Sequence, residues 1–167
     1  MDTNQIRLVR PDPVYADAPR QTCFADGIEF QDFVCKELAK RNVILQNLQS
    51  KKYQFAVGEN LQGFEIKLDM RCSDTKRLSI ELAEKTRADH DRWTPSGIMR
   101  DDNAWLYIQG NYDHLFIFSK KFLRMLWHSR SDKFEWREQK TIQTFFLPFE
   151  DAMKYCALHI DLTEIPF

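Results

Sequence analysis

The sequence predicts a mixed α/β domain, a central sheet flanked by helices, and three observations carry that prediction. Apolar residues recur at helical spacing early in the chain, at Phe30, Phe33, Val34 and Leu38. Further on, Phe64, Ile66 and Leu68 alternate with Glu65, Lys67 and Asp69, the period of a half-buried strand. The order helix, several strands, helix, strand, helix then fits a sheet covered by helices. A chain of 167 residues suits one domain, 1–167, with one core. Its 43% hydrophobic and 29% charged residues are those of a folded rather than a disordered chain.

Taken in order, residues 1–24 hold Pro11, Pro13 and Pro19 and read as an irregular N-terminal arm. A helix runs from Asp26, its N-cap, to about Lys40. Val43, Ile44 and Leu45 form a short apolar strand. Tyr53, Phe55 and Val57 alternate with polar neighbours as a second, and Gly58-Glu59-Asn60 turns the chain into the strand at 64–69. Leu78, Ile80 and Leu82 form the next strand, with Ser79, Glu81 and Ala83 on its other face. Residues 93–98 form an ordered loop around Pro95 and Gly97. Strands at 105–109 and 115–118 flank the hairpin candidate Gly110-Asn111-Tyr112-Asp113. A helix at 120–128, a strand at 142–147 stopped by Pro148, and a final helix at 149–158 complete the chain.

Several function classes are excluded. Cys23, Cys35, Cys72 and Cys156 stand far apart with no C-x-x-C pair, so zinc-ligand spacing is absent; the even count leaves a disulfide framework open, but with no apolar leader free thiols are the expectation. The polar start is no signal peptide, and no apolar run approaches the roughly 20 residues of a membrane span. A cytoplasmic protein without membrane contact is expected. The net charge of −1 is near neutral, whereas a nucleic-acid binder often shows a basic balance; acids clustered at a metal site would offset a basic surface elsewhere. His90, His114, His128 and His159 are scattered, and Ser96 lacks a nucleophile motif.

The stretch that carries chemistry runs from Gly58 to Asp69. On a strand, alternate residues share a face, so Glu65 and Lys67 point the same way, about 6.6 Å apart along the strand, with Ile66 turned into the core. Glu59 lies just before the strand across a short Gly-containing turn, where it can meet Glu65. Phosphodiester hydrolysis needs such a cluster. Bare carboxylates repel the anionic group, whereas carboxylates holding Mg²⁺, a hard cation that prefers oxygen ligands, neutralise it and activate water. A nearby lysine positions that water or stabilises developing charge.

Glu65-Ile66-Lys67 resembles the second half of the motif of PD-(D/E)xK nucleases, and Glu59 takes the place of its first acid. The family usually has Asp after Pro there; this chain has Glu after Gly58. Pro11-Asp12 spells the first half literally but precedes the predicted helix, the wrong order for the family. The resemblance implies a restriction-endonuclease-like fold and a Mg²⁺-dependent endonuclease acting on nucleic acid, DNA first, with Mn²⁺ as a substitute ion. Glu59, Glu65 and the Ile66 backbone carbonyl would hold the metal, and Lys67 would assist attack. The family's helix glutamate matches Glu29 best, with Glu37 as a second option. Glu81 is an accessory that adds a third carboxylate or holds Lys67. Asp69 lies about 13 Å from Glu65 along the strand and has a structural role. The basic run from Lys120 to Arg137, interrupted by Asp132 and Glu135 and followed by Glu138, reads first as a solvated mixed-charge face and second as a track for phosphates. A homodimer is compatible with the sequence. The alternative reading is an inactive nucleic-acid- or protein-binding module on the same fold.

Overall fold

A computed structural model describes residues 20–48 and 50–163. The Pro11-Asp12 motif and most of the predicted arm lie outside them. The described residues form five helices and two four-stranded sheets. In chain order the elements are α1 (Arg20–Ala39), α2 (Lys51–Ala56), β1 (Phe64–Leu68), α3 (Cys72–Thr75), β2 (Arg77–Glu84), β3 (Thr94–Pro95), β4 (Leu106–Gly110), β5 (His114–Ser119), α4 (Lys120–Arg130), β6 (Trp136–Glu138), β7 (Ile142–Pro148), α5 (Phe149–Tyr155) and β8 (Leu158–Asp161).

The first sheet has the order β1-β4-β5-β8, with β1 parallel to β4 and the other pairs antiparallel. Its two faces are distinct. Phe64, Ile66, Ile108, Leu115 and Ile117 pack against Phe30, Val34 and Leu38 of α1. Tyr107, Phe116 and Phe118 face the other way and join Leu78, Ile80, Phe145 and Leu147 of the second sheet and Leu123 and Leu126 of α4. Ile66 therefore points toward α1, and Glu65 and Lys67 point toward the second sheet, as period-two alternation requires.

The second sheet has the order β3-β2-β7-β6. The expected single central sheet is thus divided in two, for a reason visible at Ser79. The Ser79 N–H donates to the Asp69 carboxylate at 2.8 Å, and the Ser79 carbonyl accepts from Gln109 Nε2 at 2.6 Å. Side chains of the first sheet satisfy this edge of β2, so no backbone ladder joins the sheets.

Local corrections follow from burial and helix continuity. The strand expected at 53–57 is the short helix α2; Tyr53 is 60% exposed, so the alternation had no sheet face to cover. Residues 43–46 form no strand, and Ile44 is 77% exposed. Helix α1 begins at Arg20, so Asp26 lies inside it and residues 20–24, expected to be irregular, are helical, because no helix breaker stands between 20 and 25. Helix α5 ends at Tyr155, since Leu158–Asp161 pairs with β5. Strands β3 and β6 and helix α3 were not expected. The hairpin at 110–113 forms, with Asn111 Oδ1 accepting from the N–H groups of Asp113 and His114. Cys35, Cys72 and Cys156 are free thiols. Among the described residues no helix is long and apolar enough to cross a membrane.

Candidate active site

The free edge of β1 is built by the turn before it. Asn60 exchanges two hydrogen bonds with Phe64, its Oδ1 accepting from the Phe64 N–H at 2.9 Å and its Nδ2 donating to the Phe64 carbonyl at 2.7 Å. Two residues on, the Ile66 N–H donates to Glu59 Oε2 at 2.9 Å. The Phe64 pair shows that N–H and C=O of one residue share this edge, so the Ile66 carbonyl lies on the side of Glu59. Gln31 of α1 also donates to Glu59 Oε2, at 3.3 Å. The turn depends on Gly58, whose φ of +141° suits glycine and where a Cβ would overlap Asn103.

Glu65 is fully buried. Lys67 Nζ stands 3.4 Å from its Oε1 and Lys120 Nζ 2.9 Å from its Oε2. Neither contact meets hydrogen-bond geometry, so both Glu65 oxygens lack a hydrogen-bond donor among the described residues. Lys120 is itself buried at the start of α4 and reaches Asp102 Oδ1 at 2.8 Å. From the second sheet, Glu81 Oε2 lies 3.5 Å from Lys67 Nζ, and the Ser96 hydroxyl donates to Glu81 Oε1. Glu81 therefore holds Lys67 from across the gap between sheets, one of its two expected roles.

These charges sense one another. Burial alone would lower the Lys67 pKa, but Glu81, Glu65 and Glu59 together raise it, so the ammonium stays protonated through neutral pH. Burial pushes the Glu59 carboxyl above its usual range, against the pull of Lys67 and the Ile66 N–H. A proton held more tightly in the folded than in the unfolded state gives stability that is full below the unfolded pKa and lost as pH rises through the folded one. Glu59→Gln removes that loss while keeping an oxygen for the Ile66 N–H. The metal-free variant is expected to melt above wild type at neutral pH and below it by no measurable amount in acid; calorimetric melting across pH checks this.

The other expected residues are placed as follows. Glu29 is exposed on α1 and lines one wall of a cleft of about 1530 Å³ that also holds Lys67, Asp69, Glu81 and Tyr107. Glu37 is buried and paired with Lys40 at 2.5 Å and Arg41 at 3.3 Å at the C-terminal end of α1. Asp69 has the structural role expected, tying β1 to β2 through Ser79. His114 and His159 face each other at 3.3 Å on β5 and β8, toward the opposite edge of the sheet from β1.

Sequence reasoning missed Lys120, Asp102, Ser96 and Tyr107. A signal existed for Lys120: it precedes Leu123 and Leu126 at three-residue spacing and so shares their buried face. Tyr107 is the β4 partner of Glu65 in register, and its buried hydroxyl has no hydrogen-bond partner among the described residues. Gly97 fixes the position of Glu81: its φ is +51°, and a Cβ there would collide with the Glu81 backbone. Gly97→Ala is expected to destabilise the fold by about 1–3 kcal/mol, measured by urea denaturation.

No group of three or more His, Cys, Asp or Glu side chains is gathered for a metal among the described residues. The donor set fits a smaller demand. Mg²⁺ is commonly held by one or two carboxylates and completes its shell with water and substrate phosphate. Glu59 and the Ile66 carbonyl supply hard oxygen donors at the free edge of β1 and Glu65 supplies two more on the face toward the second sheet, where its oxygens are ion-paired but not hydrogen-bonded. Set against protein-family models, curated proteins and solved structures, the chain matches none.

Proposed function

We propose that this protein is a metal-dependent endonuclease of the PD-(D/E)xK kind, on a restriction-endonuclease-like fold, hydrolysing phosphodiester bonds in DNA with Mg²⁺ or Mn²⁺. One observation supports the reading above others: a buried carboxylate, Glu65, has neither oxygen hydrogen-bonded, while a lysine two residues along the same strand approaches it at 3.4 Å. Burying a carboxylate costs several kcal/mol; here two ammonium groups, at 2.9 and 3.4 Å, offset its charge without a hydrogen bond, which leaves lone pairs that suit a cation ligand.

Glu59, Glu65 and the Ile66 carbonyl would hold the ion, which when bound withdraws charge from the phosphoryl group and lowers the pKa of a coordinated water. The chain supplies the rest. Lys67 carries a fixed positive charge beside the place where negative charge develops on phosphorus-bound oxygen. Glu81, held by Ser96, orients that ammonium group. The test is cleavage of plasmid and single-stranded DNA with Mg²⁺ and Mn²⁺, in wild type, Glu65→Ala and Lys67→Ala. Cleavage by wild type alone supports the proposal, and equal cleavage by either variant refutes it.

A specific observation favours the second reading, an inactive binding module on the same scaffold. Lys120 stands 2.9 Å from Glu65 Oε2, so an ammonium group already neutralises the carboxylate an ion would need. Calorimetry with Mn²⁺ separates the two: absence of binding at millimolar concentration by a folded protein favours the inactive module.

A further inference from the structure

The sheet β3-β2-β7-β6 buries Leu78, Ile80, Phe145 and Leu147 on one face, and its other face forms the floor of the cleft. On that floor Glu81, Thr144 and Arg137 stand in one cross-strand row, each in register with the next. The neighbouring row pairs Ser79 with Phe146. The Arg77 guanidinium lies 4.0 Å from the centre of the Phe146 ring and that of Arg137 5.4 Å. Both arginines bond the single carboxylate of Glu135, at 2.7 and 2.6 Å. Two cations thus share one anion on an aromatic support, and one positive charge is left over.

The row begins at Glu81, which holds Lys67, and ends at Arg137 two strands away, about 10 Å by strand spacing. Thr144, at its centre, is 4% exposed and its hydroxyl has no hydrogen-bond partner among the described residues; Gln109 Oε1, also on the cleft, has none either. The cleft is also lined by the acids Asp26, Glu29, Asp69, Asp74, Glu81 and Asp113; of these Asp69 is tied to the Ser79 N–H and Glu81 to Lys67 and Ser96. Of the basic run from Lys120 to Arg137, Lys120 is buried against Glu65, Arg124 donates to the carbonyls of Ile98 and Arg100, and Arg130 reaches the Tyr155 hydroxyl, whereas Arg137 lines the cleft.

We infer that this face is a platform for a single strand of nucleic acid, with phosphates on Arg77 and Arg137 and an adjoining phosphate at Lys67. Arginine supplies a bidentate fork for phosphate and a flat cation on which an unpaired base can stack. Arg137 is 58% exposed, and a phosphate would take the place of Glu135 Oε1, which its Nε and Nη2 now hold at 2.8 and 2.6 Å. The inference rests on the nuclease reading for placing the reacting phosphate at Lys67, while the grip of the arginines does not need it.

The test is fluorescence anisotropy of a labelled oligothymidylate in EDTA, where cleavage cannot occur, over a range of salt. Wild type is expected to bind, and Arg77→Ala/Arg137→Ala is expected to bind on the order of tenfold more weakly, with a salt slope lower by about 1.4, the value for two phosphate contacts on a single strand. Arg137→Ala alone, at an exposed position, covers the case in which the double variant fails to fold and is expected to lose half that slope. Lys154→Ala, away from the cleft, serves as the control with wild-type binding. Unchanged affinity and slope in a folded arginine variant would overturn the platform, as would absence of binding by wild type or tighter binding of the matching duplex. If the arginine variants lose binding but wild type cleaves nothing with Mg²⁺, the platform stands and the nuclease reading falls. If Lys67→Ala loses cleavage while the arginine variants bind as wild type, the reverse holds.

Discussion

Lys67→Ala is expected to lose Mg²⁺-dependent cleavage by at least about two to three orders of magnitude, the usual cost of removing a fixed positive group from beside a developing oxyanion, while the protein stays folded. The second half of that statement follows from the ion-pair network. Glu65 keeps Lys120 at 2.9 Å when Lys67 is gone, so its charge is not left alone in the interior. Glu81 keeps the Ser96 hydroxyl and is partly exposed, so water compensates it. The variant separates chemistry from folding: single-turnover cleavage should collapse while the melting curve stays cooperative. Lys67→Arg is expected to recover little, because the planar guanidinium does not replace a point charge confined between Glu65 and Glu81.

Lys120→Met is expected to have the opposite profile, a large loss of stability of about 3–5 kcal/mol, the cost of breaking a buried pair by removing one partner. Here the removed cation faces two buried carboxylates, Glu65 and Asp102, with side-chain exposures of 0% and 3%. Lys67 remains near Glu65, but Asp102 loses the Lys120 ammonium. The companion Lys120→Met/Asp102→Asn should regain much of the stability, since neutralising the stranded acid removes the penalty, and the double-mutant cycle then gives the coupling directly. Urea denaturation measures all three proteins. Loss of less than about 1 kcal/mol on Lys120→Met, the worth of an exposed pair, would mean that water reaches this network.

Much of the core and half of the site were legible because they are local. The alternation at 64–69 places Ile66 toward α1 and Glu65 and Lys67 toward the other sheet, and the turn at Gly58 brings Glu59 back to the Ile66 N–H. Those relations need only strand period and a short loop. What was missed depends on pairs distant in sequence. Lys120 meets Glu65 across 55 positions, and its role looked like part of a basic surface run until α4 turned it inward. Ser96 reaches Glu81 only because Gly97 takes a left-handed conformation against it. The helix at 51–56 was read as a strand because Tyr53 and Val57, four residues apart, also fit alternation over so short a window. The division into two sheets turned on which side chains, Asp69 and Gln109, satisfy one residue of β2, a choice that no periodicity encodes.

The account depends on two carboxylates, Glu59 at the edge of β1 and Glu65 on its inner face, accepting a divalent ion. Titration calorimetry of Mn²⁺ into wild type and Glu65→Gln at neutral pH measures that directly. One ion bound by wild type and none by the variant, with matching circular dichroism, is the expected result. Equal binding by both proteins, or none by folded wild type at millimolar Mn²⁺, would contradict it.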